Sequence, residues 1–328
     1  MRAIKLIIFF VIITNVIYGQ SQKSFDKLIS ETNKYLSLYS ELPYTFDNEY
    51  IPFKESGLSD KEIAYIKEQD YADEDGYFND SVSKNYLILG LQDLIFKNIK
   101  KIISNDKFKE NNIKDLLLSN PDFNIVVSND KKLYNFILDE KTGGTYHSKI
   151  SLMYYTGISV DSLKTQREIE YSDSKNNPYS IFDSNGFDAI YSIKTKEGTK
   201  YVLTSYTETC FTCLSSLIML VKFKDGRFFK DFEYYFTSRN EQEDLTYNPK
   251  SNTIVVNYIT DDVSAKSCIC NSDSINKNIY SNDDDGYYID EDESDESNIS
   301  ANSKICKCIF IFNGLNFELS KKSLNKIK

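Results

Sequence analysis

Tryptophan is absent from this chain, and histidine occurs once, at position 147. One histidine rules out histidine-rich zinc sites. Any Ser-His-Asp or Cys-His device would have to use His147, and no Gly-x-Ser-x-Gly accompanies it. Without tryptophan, the aromatic residues at strand spacing read as core rather than as a sugar-stacking platform. An excess of basic residues is also missing. The formal charge is −10, and removing the first nineteen residues with Arg2 and Lys5 leaves −12, which disfavours a nucleic-acid-binding role, since that needs a basic face. No apolar run after residue 19 is long enough to cross a bilayer, and no repeat has a fixed period. No cysteine near residue 19 signals lipid attachment.

What is present begins with an export signal. Arg2 and Lys5 precede the apolar stretch Leu6 to Ile13, Thr14-Asn15 interrupts it, and Gly19 is a plausible last residue before cleavage. The expected mature chain starts near Gln20 and is soluble, in the periplasm, outside the cell or at its surface. The 328 residues suffice for one large domain or two smaller ones.

Helical spacing comes first. Ser24 to Leu42 places Phe25, Leu28, Ile29, Leu36 and Tyr39 on one side, and Pro43 ends it. Ser59-Asp60-Lys61-Glu62 is a capping box opening a shorter helix. Ser83 to Ser104 is the longest, and Asn112 to Ser119 a short last one before Asn120-Pro121. From Asp122 the period becomes two. Strands are expected over Phe123 to Ser128, Leu133 to Asp139 and Thr145 to Tyr155. A four-strand meander follows from Phe187 to Phe236, with Leu214 to Phe223 central in its sheet and a hairpin turn at Asp225-Gly226. Thr253 to Ile259 and a last hairpin around Asn313-Gly314, Ile305 to Phe312 and Leu315 to Leu319, complete the set.

The six cysteines fall as Cys210/Cys213, Cys268/Cys270 and Cys306/Cys308. An even number in an exported chain favours disulfides over a four-thiolate metal site. If the last two pairs lie on antiparallel neighbouring strands, Cys268 faces Cys308 and Cys270 faces Cys306, with Cα atoms about 4.5–5.5 Å apart. Cys210-Phe211-Thr212-Cys213 sits between strands rather than at a helix start, so it reads as a structural bridge across a turn and not as a redox centre. Six cysteines also allow fifteen connectivities.

A polar, acidic insertion spans Asn271 to Lys304. Asp283, Asp285, Asp290 and Asp292 have part of the spacing of a calcium loop, although Ser281 would hold its first position. Asp73-Glu74-Asp75-Gly76 echoes the pattern more weakly. Both stretches read chiefly as solvated, disordered acidic loops. For a hydrolase, two carboxylates are needed; Glu208 and Asp188 are candidates by position alone.

One stretch resembles a known group. Ile125-Val126-Val127-Ser128-Asn129-Asp130-Lys131-Lys132-Leu133-Tyr134, followed by Gly143-Gly144-Thr145, is similar to a segment of uncharacterised exported β-rich proteins of Bacteroidota. In those a strand, an S-x-D-x-K turn, a second strand and a G-G-T turn recur. The likeness covers residues 116–155 and extends faintly to the Phe187–Phe236 meander; Phe136 stands where the relatives often carry tryptophan. It implies export and a β-rich domain, and no particular activity.

The expectation is an α+β protein: a signal peptide over 1–19, a helical region over 20–119, and a mostly antiparallel β domain over 122–321, propeller-like meander or sandwich, with the insertion at 271–304. The preferred function is a non-enzymatic, disulfide-stabilised binding or structural protein with an envelope, extracellular protein or glycan partner and no cofactor. The alternatives are a carboxylate-based extracytoplasmic hydrolase and a calcium-stabilised surface module.

Overall fold

A computed structural model describes residues 2–43, 49–69, 76–142, 148–170, 176–182, 186–210, 213–260, 266–271 and 303–326. It is α+β, as expected: a helical N-terminal region leads into antiparallel sheets, none of them closed. The chain forms two compact units. One comprises Met1–Ile125, Phe136–Gly143 and Ser159–Thr165; the other comprises Val126–Asn135, Gly144–Ile158 and Gln166–Lys328.

In the first unit, helix α1 runs unbroken over Arg2–Glu41. Strand β1 (Tyr50–Pro52) and helix α2 (Asp60–Lys67) follow, then strands β2 (Tyr77–Phe78) and β3 (Ser81–Ser83), helix α3 (Lys84–Ser104) and helix α4 (Ile113–Leu116). Phe25, Thr32, Leu36 and Tyr39 form a buried stripe on α1, and α1 packs on α3. Helices α2 and α3 satisfy free N–H groups of their first turns with side chains. Ser59 and Glu62 form the expected capping box at α2, and the Ser83 hydroxyl accepts the Tyr86 N–H at α3. No described helix is long and apolar enough to cross a membrane.

Helix α4 is a single turn, not the longer Asn112 to Ser119 helix the spacing suggested. The cause is Asn33. Its amide donates to the Leu116 carbonyl at 2.9 Å and accepts the Leu118 N–H at 2.7 Å. Both groups of the departing chain are satisfied by a side chain of α1, so the backbone leaves the helix and turns extended at Leu117.

Strands β4 (Phe123–Val127), β5 (Leu133–Asp139) and β6 (Lys149–Tyr155) form a three-stranded sheet in the order β4-β5-β6. Its first turn is built by Ser128 and Asp130. The Ser128 hydroxyl accepts the N–H groups of Lys132 and Leu133, and the Asp130 carboxylate accepts the Ser128 hydroxyl. Tyr201 then donates its hydroxyl to Asp130 at 2.9 Å.

After helix α5 (Gln166–Glu170), the meander is β7 (Ala189–Thr195), β8 (Gly198–Cys210), β9 (Cys213–Lys224) and β10 (Arg227–Ser238), ordered β10-β9-β8-β7. The apolar run of β9 lies between two neighbours, which is why both its faces are apolar. At the β9–β10 turn Asp225 and Gly226 both have positive φ, +51° and +82°, the backbone of a tight hairpin. A second four-stranded sheet follows, β11 (Asp244–Asn248), β12 (Thr253–Thr260), β13 (Lys304–Phe312) and β14 (Phe317–Lys326), ordered β11-β12-β13-β14. The two sheets share one core: Val202, Ile218 and Phe236 from the first meet Ile254, Val256 and Phe310 from the second. This pair of sheets packs face to face as a local sandwich, and the opposite face of the first sheet meets β6, where Tyr155 lies against Tyr201, Phe223 and Phe228.

Candidate functional site

The constellation that sets this molecule apart is the neck of the acidic insertion. Cys306 and Cys308 are two apart on β13, so both face the sandwich core, where each is buried. Cys268 and Cys270 come from the short segment 266–271 that follows β12. The structure pairs Cys268 with Cys306 and Cys270 with Cys308, with Cα separations of 5.4 and 5.8 Å.

This corrects the crossed pairing, Cys268 with Cys308 and Cys270 with Cys306, that antiparallel neighbours would give. The reason is that β13 has no free edge. Val256 and Lys322 flank Cys308, and Tyr258 and Leu324 flank Cys306. The segment carrying Cys268 and Cys270 is not a strand. It lies against the core face of β13 and runs in the same direction, so both bridges have the same sequence separation, 38.

Three further contacts hold this segment. The Tyr258 hydroxyl donates to the Ile269 carbonyl at 2.7 Å and accepts the Ile269 N–H at 2.8 Å. Lys322 donates to the Cys268 carbonyl at 3.4 Å. Burial pushes the Tyr258 hydroxyl above its ordinary titration range, so it stays protonated and able to make both bonds. The Ile269 side chain, between the two bridges, is 47% exposed. Residues 272–302 enter and leave through this neck. They carry ten carboxylates against one lysine, a net of −9 out of −10 for the whole chain.

A second charged constellation sits in the first sheet of the sandwich. Lys200 and Lys222 stand directly opposite each other on β8 and β9, an arrangement that is repulsive by itself. The register of β10 shifts between Lys230 and Phe232, and this bulge sets Asp231 between the two ammonium groups, 2.7 Å from Lys200 and 2.8 Å from Lys222. Lys200 is 3% exposed and also donates to the Leu315 carbonyl. Asn316 donates to the Asp231 carbonyl at 3.1 Å. Burial works against ionisation of Asp231, but the hydrogen bonds and charges of the two lysines outweigh it and hold the carboxyl below its ordinary range. The cluster ties β8, β9 and β10 to the β13–β14 turn. Nothing in the residue order around Asp231 announced it, because the bulge depends on pairing between strands.

In the helical unit Glu62 is the other carboxylate with a clear shift. Burial opposes its charge, yet the Ser59 N–H, the Tyr35 and Ser59 hydroxyls and Lys34 bring it down to about 2. Tyr39 there is fully buried; its hydroxyl donates to the Asp139 carbonyl and accepts from Gln92, with Lys141 over its ring and paired to Asp122 at 3.1 Å.

The remaining expected residues are placed as follows. Cys213 is disulfide-bonded, and its backbone stands opposite Cys210 at the β8–β9 turn; the rest of that turn lies outside the described residues. Asp188 accepts the Tyr206 N–H and lies 3.6 Å from Lys149. Glu208 is exposed on β8 opposite Leu214. His147, Asp73 to Asp75, and the calcium candidates Asp283, Asp285, Asp290 and Asp292 lie outside the described residues. Among the described residues no cluster of three or more metal-ligating side chains occurs.

No family model, curated protein or solved structure matches the chain. The functional reading therefore rests on the residues and their geometry.

Proposed function

We propose that this chain is an exported, non-enzymatic binding or structural protein whose sandwich holds both ends of an acidic insertion. The observation that carries the reading is the neck: two bridges side by side close one 31-residue segment bearing nearly all of the net charge. In a chain-entropy model, closing a loop of this length is worth roughly 4 kcal/mol, with a smaller increment from the second bridge. Paired bridges at this spacing suit an oxidising compartment. The apolar start of the chain, with Arg2 and Lys5 ahead of it, supports export by the same route.

The carboxylates favour a structural reading over hydrolysis. A general acid needs a raised pKa. Glu62 and Asp231, the two described carboxylates with clear shifts, both move down under the influence of donors and lysines.

The test is made on protein secreted by its native export route. N-terminal sequencing is expected to begin near Gln20. Incubation with polysaccharide, peptidoglycan and protein polymers is expected to give no product above a blank. Turnover that disappears on substituting a carboxylate would overturn the non-enzymatic reading. A chain kept in the cytoplasm with free thiols would overturn the export reading.

A further inference from the structure

The outer face of the second sheet is not part of the shared core. Alternate residues of β12 and β13 point away from it, and five of them are apolar: Val255, Ile259, Ile305, Ile309 and Ile311. None is buried, and Ile311 is 44% exposed. The register arranges the face in rows across the strands. One row reads Asp244, Asn257, Lys307, Ser323; the next reads Thr246, Val255, Ile309, Lys321. The rows on either side bring Ile259 beside Ile305, and Thr253 beside Ile311.

We propose that this face is an interface with a second copy of the chain. The pattern is self-complementary under one particular symmetry. A two-fold axis parallel to the strands, midway between two stacked sheets, lays β12 of one copy over β13 of the other and keeps the rows aligned. Val255 then meets the second copy's Ile309, Ile259 meets Ile305, and Thr253 meets Ile311. Asp244, at the β11 side, falls over Ser323 of the other copy, beside its Lys307 and Lys321. The alternative axis, across the strands, reverses the rows. It sets Lys307 over Ile309 and brings the lysine-bearing edges together. Only the first arrangement puts apolar on apolar and acid beside base.

Size and charge then set the strength. Four strands about 4.8 Å apart and four rows about 6.8 Å apart cover roughly 500 Å² per copy, roughly 1,000 Å² in total. That is the lower end for a specific interface, so the dimer is weak. In the mature chain the body outside residues 272–302 carries only −3, against −9 within them, so repulsion between copies comes mainly from the insertions and is screened by salt.

Sedimentation velocity on the disulfide-intact mature chain, from micromolar to several hundred micromolar, tests this. The expected result is a reversible monomer–dimer equilibrium that tightens as salt rises from 20 to 300 mM. Ile309→Lys is expected to weaken it at least about tenfold, and Lys321→Glu to weaken it less, both with the dilute-solution melting temperature of the parent. Should Ile309→Lys fail to fold, Lys321→Glu and Val255→Ser carry the same reading. A monomer throughout the concentration range overturns the proposal. So does a dimer indifferent to all three substitutions. A monomeric parent that Ile309→Lys destabilises would show instead that another part of the same chain covers the face.

Discussion

Asp231 is the residue on which most depends locally. It answers two lysines that face each other, one of them almost fully buried. Asp231→Asn keeps the shape and removes the charge, leaving the buried Lys200 with only the exposed Glu197, 3.6 Å away, as a counter-ion. With Glu197 still close, a loss of roughly 2–3 kcal/mol is expected, below the roughly 3–5 kcal/mol of a wholly unpaired buried charge, read as a lower urea midpoint with unchanged slope. A loss below roughly 1 kcal/mol would mean that Glu197 and solvent together compensate Lys200. Glu62 supplies a pH dependence. Its folded pKa, about 2, lies below the ordinary 4.5. The stability it contributes is therefore complete above pH 4.5 and is lost as pH falls towards 2. Glu62→Gln is expected to remove that part of the acid limb and lower stability at pH 7, while leaving the slope above pH 6 unaltered. Denaturant titrations at pH 7, 4 and 2.5 give the comparison.

At the scale of elements, the close approach of α2 to α3 turns on Gly90. A Cβ there would stand 2.7 Å from Ile66 Cδ1 and Cγ1 and 2.9 Å from Cγ2. Alanine gains about 1 kcal/mol of helix propensity, but overpacking costs about 1–3 kcal/mol, and three atoms of a buried side chain must move together. Gly90→Ala is expected to lower the melting temperature, and Ile66→Ala in the same chain to recover part of the loss; a melting temperature raised by Gly90→Ala alone would mean that α2 simply shifts away. The elements legible from sequence were those set by neighbours in the chain. Ser59 and Glu62, and Asp225-Gly226, act within four residues, and each does what its spacing implied. Strand β11 and the second half of β14 carried little signal. Both lie at sheet edges, where one neighbour suffices and polar residues such as Lys321 and Lys322 are tolerated. The shortening of α4 was hidden because Asn33 acts from more than eighty residues away.

At the scale of the whole molecule, the cysteines show where sequence reasoning ends. That Cys306 and Cys308 share a face follows from strand period alone. Which cysteine each meets depends on the occupants of both edges of β13, and these, β12 and β14, come from opposite sides of the insertion. Tyr258 could be read as a core residue, but its two bonds to Ile269 join groups that only the folded neck brings together. The insertion itself was legible as a charge block, and the structure adds how its ends are held.

The most direct test of this account is the connectivity of the neck. Trypsin cuts after Lys307 but leaves Cys268 and Cys270 on one peptide, so electron-transfer fragmentation between those two residues is needed to assign the bridges. The account predicts Cys268 joined to Cys306 and Cys270 joined to Cys308, with no alkylation of the unreduced chain. Cys268 joined to Cys308, or free thiols at these four positions in the exported protein, would contradict it.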